Sequence, residues 1–493
     1  LVPDGFRLSP DPATRLVAGG SVVVGGSPVR VLRLTPAGAR QVAAWFRGVP
    51  VSGGAPARKL ARRLLDAGIA HPVLMPGDGP CPANVTVVIP VRDRHAELRR
   101  CLAGLRDAAR DVGGGSYRVI VVDDCSADPG AIAAIAAEAG ARVIRRPVNG
   151  GPGAARNTGL AAATTDYVAF LDSDCVPRPG WLDRLLPQFA DPAVGAVAPR
   201  ITAHEQGSAW LARYEGASST LDMGERASIV RPGARVSYVP GAALVVRKRA
   251  AGDGFTPGMP VGEDVDFVWR LAGAGWRVRY EPAAVMGHDH RVRFRAWFSR
   301  RADYGTSAAA LEARHPGAVR PLYASWWTVG AWAAVLSGRP VAAIALTGTA
   351  TALLARRLSA VTGEPAASDT SDKLRVGGTA WRLALRLAAS GTLAAGRPLG
   401  SALSRTWWPV AIPAAVAVPK LRLPVAALML APPLLDWADR RPPLDPARYV
   451  AARLLDDAAY SVGVWHGCLK HRTARPLLPA VGADRGRPAS PFR

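Results

Sequence analysis

Lysine is almost missing from this 493-residue chain: five of its 62 basic residues are Lys and the rest are Arg. Acidic residues number 38, which leaves a formal net charge of +24 and favours anionic partners such as nucleic acid, acidic lipid or sugar phosphates. The Arg-rich, Ala-rich composition points to a GC-rich bacterial coding sequence. Cysteine is also scarce. The five present (Cys81, Cys101, Cys125, Cys175, Cys468) are odd in number and lack paired metal-ligand spacing. They exclude a disulfide framework and predict a reducing, cytosol-facing setting. The opening residues, LVPDGFRLSPDPATRL, hold no charged start followed by an apolar run, so no signal peptide is expected. A dinucleotide fingerprint is missing as well. In "NGGPGAARNTG" the third glycine position of G-x-G-x-x-G is Arg156, which counts against a nicotinamide site.

What is present falls into regions, as the length allows for two or three domains. Residues 1 to 80 contain two short apolar stretches, "SVVVGG" and "VRVLRL", that read as strands around a Gly-Ser-Pro turn. "TPAGARQVAAWFRG" reads as a helix with Thr35 as N-cap and Pro36 in its first turn. "ARKLARRLLDAGIAHP" reads as a second helix closed by Gly68, with Pro72 beyond it. Strands with a helix pair predict a small winged-helix-like binding module. The Pro/Gly-rich "MPGDGPCPAN" reads as a linker. From Val85 apolar strands alternate with Ala- and Leu-rich helices, the pattern of an α/β domain.

Beyond residue 320 the chain is apolar with Trp at the edges. The runs "YASWWTVGAWAAVLSG" and "VAAIALTGTATALLARR" flank Arg339-Pro340, and "TWWPVAIPAAVAVP" and "LPVAALMLAPPLLDW" flank Lys420 and Arg422. Each run is shorter than the ~20 residues of a usual spanning helix. Paired across their breaks they predict re-entrant or kinked segments, and a buried soluble helical domain is the competing reading. The stretch after Leu477 is rich in Pro and Arg and reads as disordered.

The chemistry concentrates in the α/β region. The strand "VTVVIP" runs into "VRDR", and ligands of such sheets gather at the carboxyl ends of strands. The next strand ends in Asp123-Asp124. "NGGPGAARNTG" offers a helix N-terminus bearing Arg156, and both favour phosphate. "AFLDSDCVP" places Asp172 and Asp174 two apart. If the extended chain persists to Asp174, both carboxylates face one side and converge on one ligand, a hard divalent cation being the natural choice. "VGEDVDFVWRL" sets Glu263, Asp264 and Asp266 at a helix start, and "GHDHR" adds His288 and His290 at the same spacing of two.

In order and spacing, "VVIPVRDR", "VVDDCSAD", "NGGPGAARNTGLAAATTDYVAFLDSDCVPRPGWL", "VGEDVDFVWRL" and "HDHR…RRADYG" resemble the inverting glycosyltransferases of family 2, over roughly residues 84 to 306. The resemblance implies an α/β GT-A nucleotide-sugar domain at 84–306. The full expected layout adds the winged-helix-like module at 1–80, an apolar membrane-associated helical region at 320–440 and a partly disordered tail at 441–493. It also implies a divalent metal, Mg or Mn, and a UDP-sugar donor. Donor contacts fall on Pro90, Val91, Asp93, Asp124 (at the uracil), Arg156 (near the base and diphosphate) and Asp172. Metal contacts fall on Asp174, Asp172 and His288, with His290 the alternate. Asp264 matches the catalytic base, with Glu263 beside it. The processive motif Q-x-x-R-W is absent, "FVWRL" standing in its region, which speaks against long polymerisation.

The small module, with "LRLTPAGA" and "LARRLLDAGIAHP", resembles the recognition domains of ribosomal peptide modification. The whole layout is similar to the glycosyltransferase family of the mycofactocin system. That similarity implies β-1,4-linked glucose added to a peptide-derived redox cofactor, and the Trp-edged apolar runs with Arg339, Lys420 and Arg422 between them predict a place at the cytoplasmic side of a bacterial membrane with an anionic surface. A lipid or cell-wall glycan is the competing acceptor. A nucleic-acid binder would account for the charge but leave the ordered acidic clusters idle, so no nucleic-acid partner is expected. A noncatalytic membrane-tethered peptide scaffold would leave them idle too.

Overall fold

The computed structural model describes residues 1–110, 117–205, 207–362 and 378–482. The proposed disorder of the tail falls, from residue 483 onward, outside the described residues.

In the N-terminal unit, β1 (Arg7–Pro10) pairs with β5 (Ala70–Val73), and β2 (Arg15–Val17), β3 (Val22–Gly25) and β4 (Arg30–Arg33) form an antiparallel sheet. Helices α1 (Pro36–Trp45) and α2 (Ala55–Ala67) lie between β4 and β5. The Thr35 hydroxyl accepts from Gly38 N at 3.1 Å, satisfying one of the free donors of the α1 N-terminus. Gly68, at φ 68, turns the chain out of α2. Val23, Trp45, Leu64 and Ile69 form a core of the unit's own.

From Val85 a nine-stranded mixed sheet takes over. Its strands are β6 (Val85–Val91), β7 (Arg118–Asp123), β8 (Arg142–Arg145), β9 (Tyr167–Leu171), β10 (Cys175–Pro177), β11 (Val194–Ala203), β12 (Ser228–Val230), β13 (Ala243–Arg247) and β14 (Arg277–His288). The order is β10-β14-β11-β13-β9-β6-β7-β8, with β12 on β14. Strand β6 is buried at every residue, as its apolar run, interrupted only by Thr86, leads one to expect where helices cover both faces. On one face pack α3 (His95–Arg110), α4 (Pro129–Glu138) and α6 (Trp181–Leu185), through Leu98, Leu102, Ile132 and Trp181. On the other pack α5 (Gly151–Ala162) and α8 (Glu263–Gly273), through Ala155, Leu160 and Phe267. Helix α7 (Trp210–Ser218) lies outside this core and joins Trp297 and Tyr449 in a separate cluster.

The N-terminal unit docks at the far end of this sheet. Arg62 grips Asp191 with two bonds of 2.6 Å, and Arg277 grips Asp66 at 3.0 and 2.6 Å. Asp191 and Arg277 stand where β11 and β14 begin, opposite the carboxyl ends of β6, β7 and β9.

Helix α9 (Phe294–Arg314) runs past residue 306, where the sequence reading closed the domain. Then come β15 (Tyr323–Ala324), α10 (Trp326–Leu336), α11 (Pro340–Thr362), α12 (Thr379–Ala394), α13 (Gly396–Ala402), α14 (Trp408–Ala417), α15 (Arg422–Arg440), α16 (Pro446–Lys470) and β16 (Ala480–Val481). Two stretches, Pro340–Ser359 and Pro419–Arg440, are long and apolar enough to cross a membrane, so here the helices outrun the short apolar runs counted in the sequence. The first half of the expected 441–493 tail, ahead of the Pro/Arg-rich stretch after Leu477, is helical. Residues 446–470 are a 25-residue helix, capped by Asp445 and holding buried Tyr449, Ala452, Asp456 and Val464. Asp445 and Pro446 together start it.

Glycine lets α16 press against α9. A Cβ on Gly463 would collide with the carbonyl of Ala302, one on Gly305 with that of Tyr460, and one on Gly467 would sit 2.6 Å from that of Thr306. Gly463→Ala must therefore push the helices apart and is expected to cost about 1–3 kcal/mol. Denaturation of the purified protein measures this, with Gly216→Ala, a helical glycine that meets no neighbour within 4 Å, as the control expected to gain about 0.5–1 kcal/mol.

Candidate active site

A cavity of about 690 Å³ opens at the carboxyl ends of β6, β7 and β9, roofed by α8, α9 and α16. Pro90 and Val91 line it where β6 ends, and Asp124, Arg156, Asp172, Asp174, Glu263, Asp264, His288 and His290 all reach it. Asp93 does not. Its backbone is left-handed at φ 56, its Oδ1 accepts from Ala127 N at 2.7 Å and its N–H donates to Ser126 Oγ at 3.0 Å. In this structure it shapes the turn beside the cavity.

Arg156 is the centre of the charge pattern. It is buried, donating from Nη2 to Asp172 Oδ1 at 2.6 Å and from Nη1 to Glu263 Oε1 at 2.9 Å. Its guanidinium lies over the Phe255 ring at 5.2 Å. Burial works against its charge, but Asp172 and Glu263 outweigh burial and raise its pKa. The base-and-diphosphate contact expected of Arg156 meets these two commitments.

At the α5 N-terminus, which the sequence reading takes as favouring phosphate, two backbone donors are taken by protein. Asp124 accepts from Gly150 N at 3.1 Å and Gly151 N at 2.8 Å, and pairs with Arg146. A carboxylate answers the free donors and the dipole as a phosphate would. Asp123 beside it faces Arg145 and Ser126 N and lies outside the cavity.

Asp172 and Asp174 do not share a strand face. Strand β9 ends at Leu171, and a turn follows in which Cys175 N donates to Asp172 O at 3.0 Å. The extended-chain premise fails, yet both side chains arrive at the cavity, held by different arginines. Asp172 takes Arg156, and Asp174 takes Arg94. Asp174 Oδ1 is buried without a hydrogen-bond partner, 3.5 Å from His288 Nε2. Burial raises the Asp174 pKa, but His288 and Arg94 more than reverse it, so the carboxyl stays ionised. Cys175 Sγ shares the cluster with Asp174 and His288, all ligand atoms lying within 4.8 Å. Burial, with the Asp174 and Asp172 charges, pushes its thiol well up. His290 packs its Nδ1 3.3 Å from His288 Nδ1, and burial together with His288 and Arg301 lowers its pKa to about 3.

The three acids at the start of α8 separate. Asp264 is fixed by two backbone donors, Gly241 N on Oδ2 and Val265 N on Oδ1, each at 2.8 Å. Glu263 is buried, and its pKa is pushed up to about 7 by burial and by the Asp264 charge. Asp266 turns away to hold Arg270, Arg314, His315 and Thr256.

Residues given no role in the sequence reading complete the wall: Arg94, Arg300, Tyr304, Arg405 and Tyr460. Arg300 lies over the Tyr304 ring at 4.8 Å and Arg405 over Tyr460 at 4.4 Å. Arg300 and Tyr304 stand in the quoted "RRADYG" without an assigned role. Arg405 and Tyr460 come from stretches whose apolar or tail-like character gave no sign of a site.

This is the GT-A architecture, and the chain is a glycosyltransferase: a family model described as Glycosyl transferase family 2 matches residues 86–253. The chain is 41% identical over 495 residues to the Pre-mycofactocin glycosyltransferase of Mycobacterium tuberculosis, covering 97% of this chain and 98% of that protein. At that identity along nearly the whole of both, it belongs to the pre-mycofactocin glycosyltransferase family. It is also 46% identical over 107 residues to the succinoglycan biosynthesis protein ExoW of Rhizobium meliloti, covering 20% of this chain and 32% of that protein. Among solved structures, the mannosyltransferase PcManGT of Pyrobaculum calidifontis in complex with GDP-Man and Mn2+ is 22% identical, with a TM-score of 0.38 over 65% of this chain and 89% of that one.

The raised Glu263 pKa has a consequence for stability. A carboxyl whose folded value lies near 7, against an ordinary 4.5, binds its proton more tightly folded than unfolded. Its contribution is full below pH 4.5 and is lost as the pH rises through about 7. Glu263→Gln cannot ionise, so its stability should decline less than that of the native chain across this window. Urea denaturation at each pH reads the difference, and parallel curves would remove the effect.

Proposed function

We propose that this chain moves glucose, with inversion, from a UDP-sugar donor to a peptide-derived redox cofactor, building a short β-1,4-linked oligosaccharide. The observation that carries the reading is the full-length similarity to the Pre-mycofactocin glycosyltransferase. The cavity's ring of carboxylates and arginines supports it chemically.

The residues fit a divalent cation, Mg or Mn. Asp174 Oδ1 has no hydrogen-bond partner, and carboxylate oxygen suits such an ion, with His288 Nε2 3.5 Å away as a second donor. Asp174 and His288 would hold it, with Asp172 close by. When bound, the ion supplies positive charge for a departing diphosphate. Arg94 and Arg300 add fixed positive charge to the same wall. Asp264 takes the proton of the acceptor hydroxyl as its oxygen attacks the anomeric carbon. Its two backbone bonds aim the carboxylate so that little reorganisation accompanies attack. Arg156 positions Asp172 and Glu263 on either side of that centre.

Asp264→Asn should lower sugar transfer by about 10²–10⁴-fold while UDP binding persists. Asp174→Ala should lose metal-dependent UDP binding altogether. Mass spectrometry of products from several UDP-sugars, with calorimetry of UDP binding, reads both. Near-normal transfer by Asp264→Asn would move the base to Glu263, and undiminished metal-dependent UDP binding by Asp174→Ala would remove the metal role.

The N-terminal module is proposed to recruit the acceptor peptide by adding a strand to one of its sheet edges, as a winged-helix-like recognition unit. None of residues 1–80 lines the cavity. Removing them should raise KM for a peptide-derived acceptor and spare metal-dependent donor hydrolysis. Unaltered acceptor affinity in a folded truncation would end the recruitment role.

A further inference from the structure

The apolar C-terminal helices form two hairpins, each leaving the folded body and returning to it. Helix α10 starts beside β15, which pairs with β16, and the turn at Ser337–Arg339 reverses the chain into α11. The far part of α11 docks on the N-terminal sheet. Leu354 and Leu358 pack with Val17, Val24 and Val31, next to Leu383 of α12. The second hairpin begins at Trp407, whose indole donates to Leu477 O at 2.7 Å, and it reverses at Pro419–Leu421. Its return arm, α15, docks on the catalytic side. The Trp437 indole donates to Leu444 O at 2.8 Å, the Tyr449 hydroxyl to Asp436 at 2.6 Å and Arg440 to Ala217 O at 2.8 Å.

Between the anchored ends the arms are bare. Val341 is 77% exposed, Ile344 72%, Val416 68% and Leu423 78%. The apolar windows of these return arms are only 28% and 11% buried, whereas the core helix of a soluble protein would be mostly buried. A lipid surface is the partner that fits. The outgoing arms are short. α10 has 11 residues, and α14, which continues a helix from Gly396 through a π-helical turn at Leu403–Trp407, has 10 beyond the Trp407 anchor, about 16 and 15 Å at 1.5 Å per residue, against a hydrocarbon core of about 30 Å. The tips carry exposed Arg339, Lys420 and Arg422, cations that are costly inside hydrocarbon but favoured at anionic headgroups.

We propose that the protein is monotopic: both hairpins lie in one leaflet, with apolar side chains in the acyl region and basic tips at the phosphates. No described segment then emerges on the opposite face, and the N-terminal module, the cavity and α16 share one side. The inference rests on the membrane-contact reading and not on the proposed reaction.

The test uses the full chain, with exposed Cys81 as the reporter of the body's side. Ser337→Cys and Leu421→Cys are probed with an impermeant maleimide in right-side-out and inside-out bacterial membrane vesicles. The expected result is that each tip is labelled from the Cys81 side or from neither. Labelling of either tip from the opposite side would overturn the proposal in favour of crossing. Flotation with phosphatidylcholine–phosphatidylglycerol vesicles supplies the second arm. The combined change Val341→Asp, Ile344→Asp and Leu423→Asp should cut the bound fraction about ten-fold or more, with donor hydrolysis in detergent unchanged. Equal flotation of variant and native chain, or failure of the native chain to float, would overturn it. Donor hydrolysis, read in the same samples, reports separately on the reaction.

Discussion

A buried arginine between two carboxylates organises the active cavity. Arg156 comes from the first turns of α5, Asp172 from the end of β9 and Glu263 from the first turn of α8, so one guanidinium ties three elements together. Removing one partner of such a buried pair typically costs about 3–5 kcal/mol, because the charge left behind has no compensation. Close backbone approach makes the arrangement possible. At Gly241 a Cβ would lie 2.9 Å from the Asp264 Cβ and 3.4 Å from the Arg156 Cζ, so the turn leading to β13 can run against both.

The same economy of charge explains why so basic a chain keeps its acids. Asp124 closes the α5 N-terminus, Asp266 gathers Arg270, Arg314 and His315, and Glu215 holds Arg301 and Trp297. Most buried acids are thereby committed to structure. Asp264, fixed only by backbone donors, and Asp174, with one bare oxygen, are left facing the cavity. That division of labour supports giving them the base and metal roles.

The part of the chain that looked least like an enzyme completes the cavity. Glycines on α9 and α16 let the two helices close to backbone contact, and this carries Tyr460 and its neighbour Arg405 into the wall of the cavity. The catalytic unit is therefore longer than its motif-bearing segment, and an apolar region whose arms face outward has inner surfaces that face the site.

Local chemistry made much of this legible in sequence. The apolar run of β6, the Thr35 and Gly68 boundaries of the first helices, and the acidic motifs at strand and helix ends all express short-range rules of periodicity, capping and charge. The expectation that Asp172 and Asp174 share one strand face, drawn from their spacing, failed because the strand ends at Leu171, and a hydrogen-bonded turn outweighs the period-two pattern. Only tertiary structure could decide that Asp93 stays outside, that Asp124 takes the first donors of the α5 N-terminus, that Asp266 turns away, and that helix α16 stands in the wall of the cavity. Each of these depends on a partner far along the chain. Which of several acids keeps a free oxygen is settled by which arginine reaches it first, and that is a property of packing that no local stretch of sequence contains.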